Sequence, residues 1–140
     1  ICMIYRCLSR GWKMRAFALA LIVGSLAAAA NAANWQQIAK SGTGTVVSID
    51  TQSVVRQGDT ALGWFQFEGG EQTREGVAYA RERQMADCRA QLIGKISYVD
   101  YAPDGSVLRS RSTPATIARQ MLEPVVPDTT GEAIFHRLCG

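Results

Sequence analysis

The chain has 140 residues, with 15 lysines and arginines, 12 aspartates and glutamates, and a formal net charge of +3. Four of the basic residues lie before residue 32, so the rest of the chain holds 11 basic against 12 acidic side chains, a net charge of −1. A nucleic-acid-binding domain keeps a basic excess, and this one does not. The charge balance therefore excludes DNA and RNA as partners.

The segment that precedes residue 33 has the three parts of a secretory signal peptide. It starts with Lys13-Met14-Arg15, continues with an apolar run over 16–30, and ends in Ala30-Asn31-Ala32. Signal peptidase reads such a charged start, apolar middle and A-x-A end. The apolar middle is short for about 30 Å of hydrocarbon. We predict cleavage after Ala32 and no stable membrane anchor afterwards; an uncleaved anchor is the alternative.

Cleavage at this position divides the chain into two parts. Residues 1–32 are an upstream segment plus the signal peptide, and residues 33–140 are a single domain large enough to bury a core. We interpret Met14 as the start of translation, and residues 1–13 as upstream sequence read through in frame. A genuine extended leader is the alternative interpretation of those residues.

Short segments rich in β-branched and aromatic residues predict that the domain consists mostly of strands. Residues 79–87 fit a strand or a helix, and the neighbouring strands favour a strand. Glycine-rich or proline-containing turns separate the segments, and the polar stretch 68–76 is predicted as a mobile hairpin loop. The predicted strands occupy residues 34–40, 45–49, 60–67, 79–87, 92–101 and 107–112.

The third of these strands carries the strongest apolar signal. Leu62, Trp64 and Gln66 face one side of the sheet, and Phe65 and Phe67 face the other. Burial preference favours core positions for Trp64, Phe65 and Phe67, and an aromatic binding patch is the alternative.

The C-terminal segment predicts a helix with a defined start. Thr129 and Glu132 match a capping box, with Thr129 as N-cap and Glu132 at the third helical position. An apolar stripe follows on adjacent helical positions: Ala133, Ile134, Leu138 and Cys139. The secondary structure of the preceding stretch, residues 114–126, is ambiguous in the sequence. Pro124 and Pro127 would end any helix or strand there. The elements together predict an α+β fold, a small antiparallel sheet of about five or six strands packed with a C-terminal helix.

Two cysteines remain after cleavage, Cys88 and Cys139, in a protein destined for an oxidising compartment. We predict that they form one structural disulfide that pins the terminal helix to the sheet. His136 is the sole histidine and C-x-x-C is absent, so neither a metal site nor a redox motif is predicted. No cofactor is expected.

No catalytic constellation is visible in the sequence. His136 lacks a nucleophile motif such as G-x-S-x-G, and we interpret it as a surface or helix-packing residue. The acid pairs Glu71/Glu75 and Asp100/Asp104 are assigned to solvated loops or turns. We therefore predict that the protein is not an enzyme.

Basic residues recur along the predicted strands and could gather on one exposed face suited to acidic partners. Acidic residues such as Glu82, Asp87, Asp100 and Asp104 are interleaved with them, which favours a mixed, solvated face. The basic residues are Arg81, Arg83, Arg89, Lys95, Arg109 and Arg111.

With these segments in place, the domain resembles the surface-adhesin protein E-like family of small exported bacterial proteins. The resemblance covers nearly all of residues 33–140 and rests on the order of short features. They are Asn34-Trp35, Ile49-Asp50, Ser53-Val54-Val55-Arg56-Gln57-Gly58, a strand with Trp64, Asp87-Cys88, the hairpin 98–105, Gly131-Glu132-Ala133 and Cys139.

The resemblance implies an antiparallel sheet with a C-terminal helix, held by a Cys88–Cys139 bridge. For the adhesin itself it also implies a surface role in binding host extracellular-matrix and plasma proteins, with a homodimer as one form. The residue directly after Ala32 is Ala33 and not a cysteine, so no lipid-attachment site is expected. We expect a periplasmic, secreted or surface protein that binds a protein partner through residues that the resemblance does not identify. A periplasmic envelope-stress or enzyme-inhibitor protein is the alternative.

Overall fold

A computed structural model describes residues 32–70 and 76–140 of the chain. The predicted leader up to residue 31 and the centre of the predicted loop 68–76 lie outside these residues. The strands are β1 (Trp35–Lys40), β2 (Val46–Asp50), β3 (Val55–Gln57), β4 (Thr60–Glu68), β5 (Tyr79–Asp87), β6 (Leu92–Tyr101), β7 (Val107–Ser112) and β8 (Glu123–Pro124). The helices are α1 (Ala115–Ala118), which continues into a 3-10 turn at Arg119–Met121, and α2 (Thr130–Cys139).

All eight strands belong to one antiparallel sheet. The main order is β1-β2-β4-β5-β6-β7, while β3 pairs with β4 and β8 pairs with β6. The α+β architecture with a C-terminal helix is confirmed, but the predicted count of five or six strands is wrong. The two extra strands have three and two residues, too few for a period-two pattern to be recognised.

Strand alternation decides which side chains form the main core. Along β4, every second residue from Ala61 to Phe67 is buried, and Phe65 is fully enclosed. Phe65 and Phe67 are therefore core residues, as predicted, whereas Trp64 faces the opposite side and is only half-buried. The same core receives Val47 and Ile49 from β2.

Helix α2 covers this core. The Thr129 hydroxyl accepts the backbone N–H of Glu132 at 3.3 Å, and the Glu132 carboxylate accepts the backbone N–H of Asp128 at 3.0 Å. The predicted helix start is thus confirmed. Ile134, Phe135 and Leu138 are the buried residues of the helix, so Phe135 joins the predicted stripe.

A glycine in β4 permits the close approach of α2 to the sheet. A Cβ atom placed on Gly63 would lie 3.0 Å from Cδ2 of Leu138 and 3.5 Å from a ring carbon of Phe65. Leu138 has no exposed surface.

The ambiguous stretch 114–126 closes a second, smaller core on the other face of the sheet. Ala118 of α1 packs with Met85 of β5 and Ile96 of β6. Ile117 and Met121 remain exposed on the outer side of this segment. Within the described residues, no helix has the length and apolar character needed to cross a bilayer.

The hairpin between β6 and β7 turns at Pro103-Asp104-Gly105, as predicted. Gly105 has φ +82°, a conformation that glycine adopts without steric cost. The Asp104 carboxylate accepts the backbone N–H of Ser106 at 2.9 Å. Hydrogen bonds from Ser106 lower the pKa of Asp104. By contrast, Asp100 lies inside β6 and is buried, so its assignment to a solvated loop or turn is wrong.

A disulfide joins Cys88, just after β5, to Cys139 at the end of α2. The two residues are 51 positions apart in sequence, and their Cα atoms are 5.4 Å apart. Both cysteines pack against the main core. The bridge therefore fastens a ten-residue helix, too short to be stable alone, to the sheet.

We expect removal of the disulfide to lower the free energy of unfolding by about 4 kcal/mol, because it releases a loop of this length in the unfolded chain. Urea denaturation of the exported protein and of the Cys88→Ser/Cys139→Ser variant measures the difference. Reductant should lower the midpoint of the wild type but not that of the variant. An unchanged wild-type midpoint under reduction would contradict the prediction.

We expect Gly63→Val to destabilise the domain by about 1–3 kcal/mol, because its side chain overpacks the contact with Leu138. Gly42→Val is the matched control, since a Cβ atom at Gly42 meets nothing within 4 Å. Its effect should stay within about 0.5 kcal/mol. Equal thermal midpoints for the two variants would show that α2 does not depend on this close approach.

Candidate functional site

The sheet face opposite α2 carries the strongest concentration of aromatic and arginine side chains in the described residues. Among the described helices and strands, α1 alone covers part of this face, at its end near Met85. We call the uncovered remainder the open face and define it by residues on β1, β4, β5 and β6. Its members are Trp35, Trp64, Gln66, Tyr79, Arg81, Arg83, Val99 and Tyr101.

The antiparallel register brings these residues together. Trp64 of β4 lies opposite Arg83 of β5, and Gln66 lies opposite Arg81. Arg81 in turn lies opposite Val99 of β6. Cross-strand neighbours on one face are close enough for their side chains to interact. The open face is thus a product of strand register, which no local sequence motif encodes.

Arg81 lies at the centre of an aromatic cluster. Its guanidinium carbon is 5.0 Å from the centroid of Trp35, 5.3 Å from that of Tyr79 and 5.2 Å from that of Tyr101. Tyr79 and Tyr101 stack on each other with their centroids 4.7 Å apart. Cation–π contacts of this kind hold the positive charge without neutralising it.

One hydrogen bond fixes the orientation of the same guanidinium. Nε of Arg81 donates to Oε1 of Gln66 at 2.9 Å, while the Gln66 amide donates to the Glu68 carboxylate. No carboxylate among the described residues pairs with Arg81 within 4 Å. A guanidinium held at Nε and on its faces presents its terminal nitrogens as a planar fork for an anion.

The open face contains two shallow depressions separated by Trp64 and Val99. One has a volume of about 270 Å³ and is lined by Trp35, Asp50 and Arg81, among others. The second has a volume of about 420 Å³ and is bounded by Arg83 and Arg111. Both are open surface features, better suited to a protein segment than to an enclosed small molecule.

The acidic groups near this face already have hydrogen-bond donors. Oδ1 of Asp50 accepts the backbone N–H of Asn34 at 3.0 Å and that of Gln52 at 3.2 Å. Arg83 forms no ion pair with any described residue. The open face therefore carries Arg81 and Arg83 without ion pairs to described residues, while the Asp50 carboxylate lies beside Arg81 in one depression.

The helix side of the sheet carries charges of both signs, as the prediction of a mixed face expects. Glu82 lies on the helix side of the sheet, where it accepts hydrogen bonds from Lys95 and Gln84 at 2.8 Å each. Asp100 is on the same side and pairs with Arg109. Both carboxylates are buried. Arg81 and Arg83 of β5 point the other way, whereas Lys95, Arg109 and Arg111 lie on the same side as the two carboxylates.

The remaining candidates from the sequence lie away from this surface. His136 is exposed on α2, with Nε2 3.7 Å from the Glu132 carboxylate. Arg89 lies exposed in the turn after Cys88. Glu71 and Glu75 lie outside the described residues. Across residues 32–70 and 76–140, no three His, Cys, Asp or Glu side chains meet in an arrangement that could hold a metal ion.

Comparison with known proteins agrees with the resemblance inferred from the sequence. The family model described as "Surface-adhesin protein E" matches residues 35–140, more than half of the chain. Neither the curated proteins nor the solved structures include a significant match. The matched region spans every strand and helix described above, from Trp35 of the open face to Cys139 of the disulfide. The chain belongs to the surface-adhesin protein E family.

Proposed function

We propose that the protein is an exported, non-enzymatic adhesin that binds host extracellular-matrix or plasma proteins through its open face. The observation that carries this proposal is Arg81, half-buried among three aromatic rings and without a carboxylate partner in the described residues. Family membership supports an adhesin-like surface protein. The open face supplies the chemistry for such binding.

The composition of the open face is typical of binding hot spots. Trp, Tyr and Arg are the residue types enriched where single side chains contribute most to protein–protein affinity. The rings around Arg81 are half-buried by one another, so their rotamers are already restricted before a partner arrives. Binding then costs less side-chain entropy than it would on a face of flexible lysines.

The charge of the open face indicates the kind of surface it binds. Arg81 and Arg83 alternate on one strand, so their side chains project about 7 Å apart along β5. Carboxylates of an acidic partner segment would complete the hydrogen bonding of both guanidinium groups. Rings on either side would exclude water and strengthen these charge-assisted bonds. The partner is therefore a protein with an acidic patch or segment.

We expect Arg81→Lys to weaken binding to the retained matrix or plasma protein by about tenfold, because lysine keeps the charge but loses the planar fork and the ring stacking. The charge reversal Arg83→Glu should weaken it at least as much. Surface plasmon resonance of the exported protein over immobilised matrix and plasma proteins provides the measurement. Thermal midpoints of both variants should stay close to that of the wild type.

Arg137→Gln is the matched control, since Arg137 is exposed on α2 at the opposite side of the domain. It should leave the affinity unchanged. Retention that survives both open-face substitutions would place the binding surface elsewhere. Failure of the wild type to bind any protein of the panel, together with protection from surface labelling on intact cells, would contradict the adhesin role.

A further inference from the structure

Strand β7 forms an uncovered edge of the sheet. All six of its residues are exposed, and among the described residues it pairs only with β6. Val107 and Leu108 are 57% and 49% exposed. Natural edge strands are usually blunted by proline, by an inward charge or by a covering element. β7 contains no proline, and no strand or helix of residues 32–70 and 76–140 pairs with its outer side, so these residues leave its backbone open to another strand.

The ladder between β6 and β7 identifies which backbone groups point outward. The backbone N–H of Thr113 donates to the carbonyl of Ile96 at 2.7 Å. In an antiparallel ladder, alternate residues hydrogen-bond to the same neighbour, so Arg111 and Arg109 also direct their backbone groups towards β6. Ser110 and Ser112 therefore direct their N–H and C=O groups away from the sheet, to the side where a further strand would lie.

The side chains of β7 favour a partner strand of negative charge. Arg109 and Arg111 alternate with serines, and β7 contains no acidic residue. Arg109 pairs with Asp100 but its side chain remains 67% exposed, while Arg111 has no ion pair with a described residue. Carboxylates directly opposite these arginines on a neighbouring strand would be stabilising, and basic side chains would be repelled.

The same charges disfavour a second copy of this strand. Two-fold antiparallel pairing of β7 with itself places residues of the same face opposite one another. With Ser110 on the axis, Arg109 faces Arg111 of the other copy; with Arg109 or Arg111 on the axis, that arginine faces the same arginine of the other copy. Like charges directly opposite destabilise such a pair.

We propose that β7 binds an extended acidic peptide segment as an additional antiparallel strand. Outward backbone groups of Ser110 and Ser112 hydrogen-bond to the segment, and its alternate Asp or Glu side chains lie opposite Arg109 and Arg111. Main-chain hydrogen bonds supply the affinity in this mode of recognition, and alternate side chains supply the specificity. The inference goes beyond the open face, since it concerns the sheet edge and different backbone groups.

Fluorescence anisotropy tests this with a labelled peptide of about eight residues in which glutamate alternates with threonine, added to the exported protein. Replacing glutamate by lysine, or methylating the backbone nitrogens on the edge that would face β7, should each weaken binding at least about tenfold. Amide hydrogen exchange should slow at Ser110 and Ser112 when the unmodified peptide is bound.

Two variants locate the site on the protein. Ser110→Pro removes an outward N–H while the bonds to β6 remain, a position that edge strands tolerate, and it should weaken peptide binding by about tenfold. Arg111→Gln should weaken binding about threefold or more. Arg81→Lys should leave the peptide affinity unchanged, which separates this edge from the open face.

The proposal is overturned if the acidic peptide does not bind, if the lysine peptide binds equally well, or if the methylated peptide retains full affinity on the wild-type protein. The last result needs no protein variant, so it holds even if Ser110→Pro fails to fold. If the wild type binds no peptide but associates with itself, and Ser110→Pro abolishes that association, the edge binds a second copy of the chain instead.

Discussion

The contact between Leu138 of α2 and Gly63 of β4 determines how the two faces of the sheet are used. A glycine at this position lets the helix lie directly on the centre of the sheet, where it encloses Phe65. The Cys88–Cys139 bridge then holds the end of the helix in place. In the described part of the chain only α2 is long enough to cover a whole face, and α1 covers the opposite face only at its end. The open face is the structural consequence.

Strand alternation then decides which charged side chains of β5 lie on the open face. Arg81, Glu82 and Arg83 are consecutive in sequence, yet Glu82 turns towards the helix side and the two arginines turn away from it. Lys95 neutralises Glu82 on its own side. A buried carboxylate without such a partner would be strongly destabilising, so this ion pair is what allows an acidic residue between the arginines. The two arginines thus share the open face while the carboxylate between them is paired on the reverse side of the same strand.

Much of the fold followed from local patterns, while the site did not. The opposite orientation of Trp64 and Phe65 and the start of α2 at Thr129 were predicted from period and capping, and the strand character of β5 was predicted from its neighbouring strands. Asp100 was assigned with Asp104 to a solvated loop or turn, although it lies within the predicted strand 92–101; the register with Arg109 explains its burial. The three rings around Arg81 come from β1, β5 and β6. Their meeting depends on strand order, which short segments of sequence do not encode.

The open face and the β7 edge are continuous with each other. The depression beside Trp64 is bounded by Arg83 of β5 and by Arg111 of β7, so it bridges the two surfaces. A segment paired with β7 would lie beside this depression, and the chain that continues from it would be held within reach of Arg83. Linking two weak contacts in one partner raises the effective concentration of the second, and the combined affinity then exceeds that of either alone. A small domain with two modest surfaces could in this way bind an acidic protein firmly without an enclosed pocket.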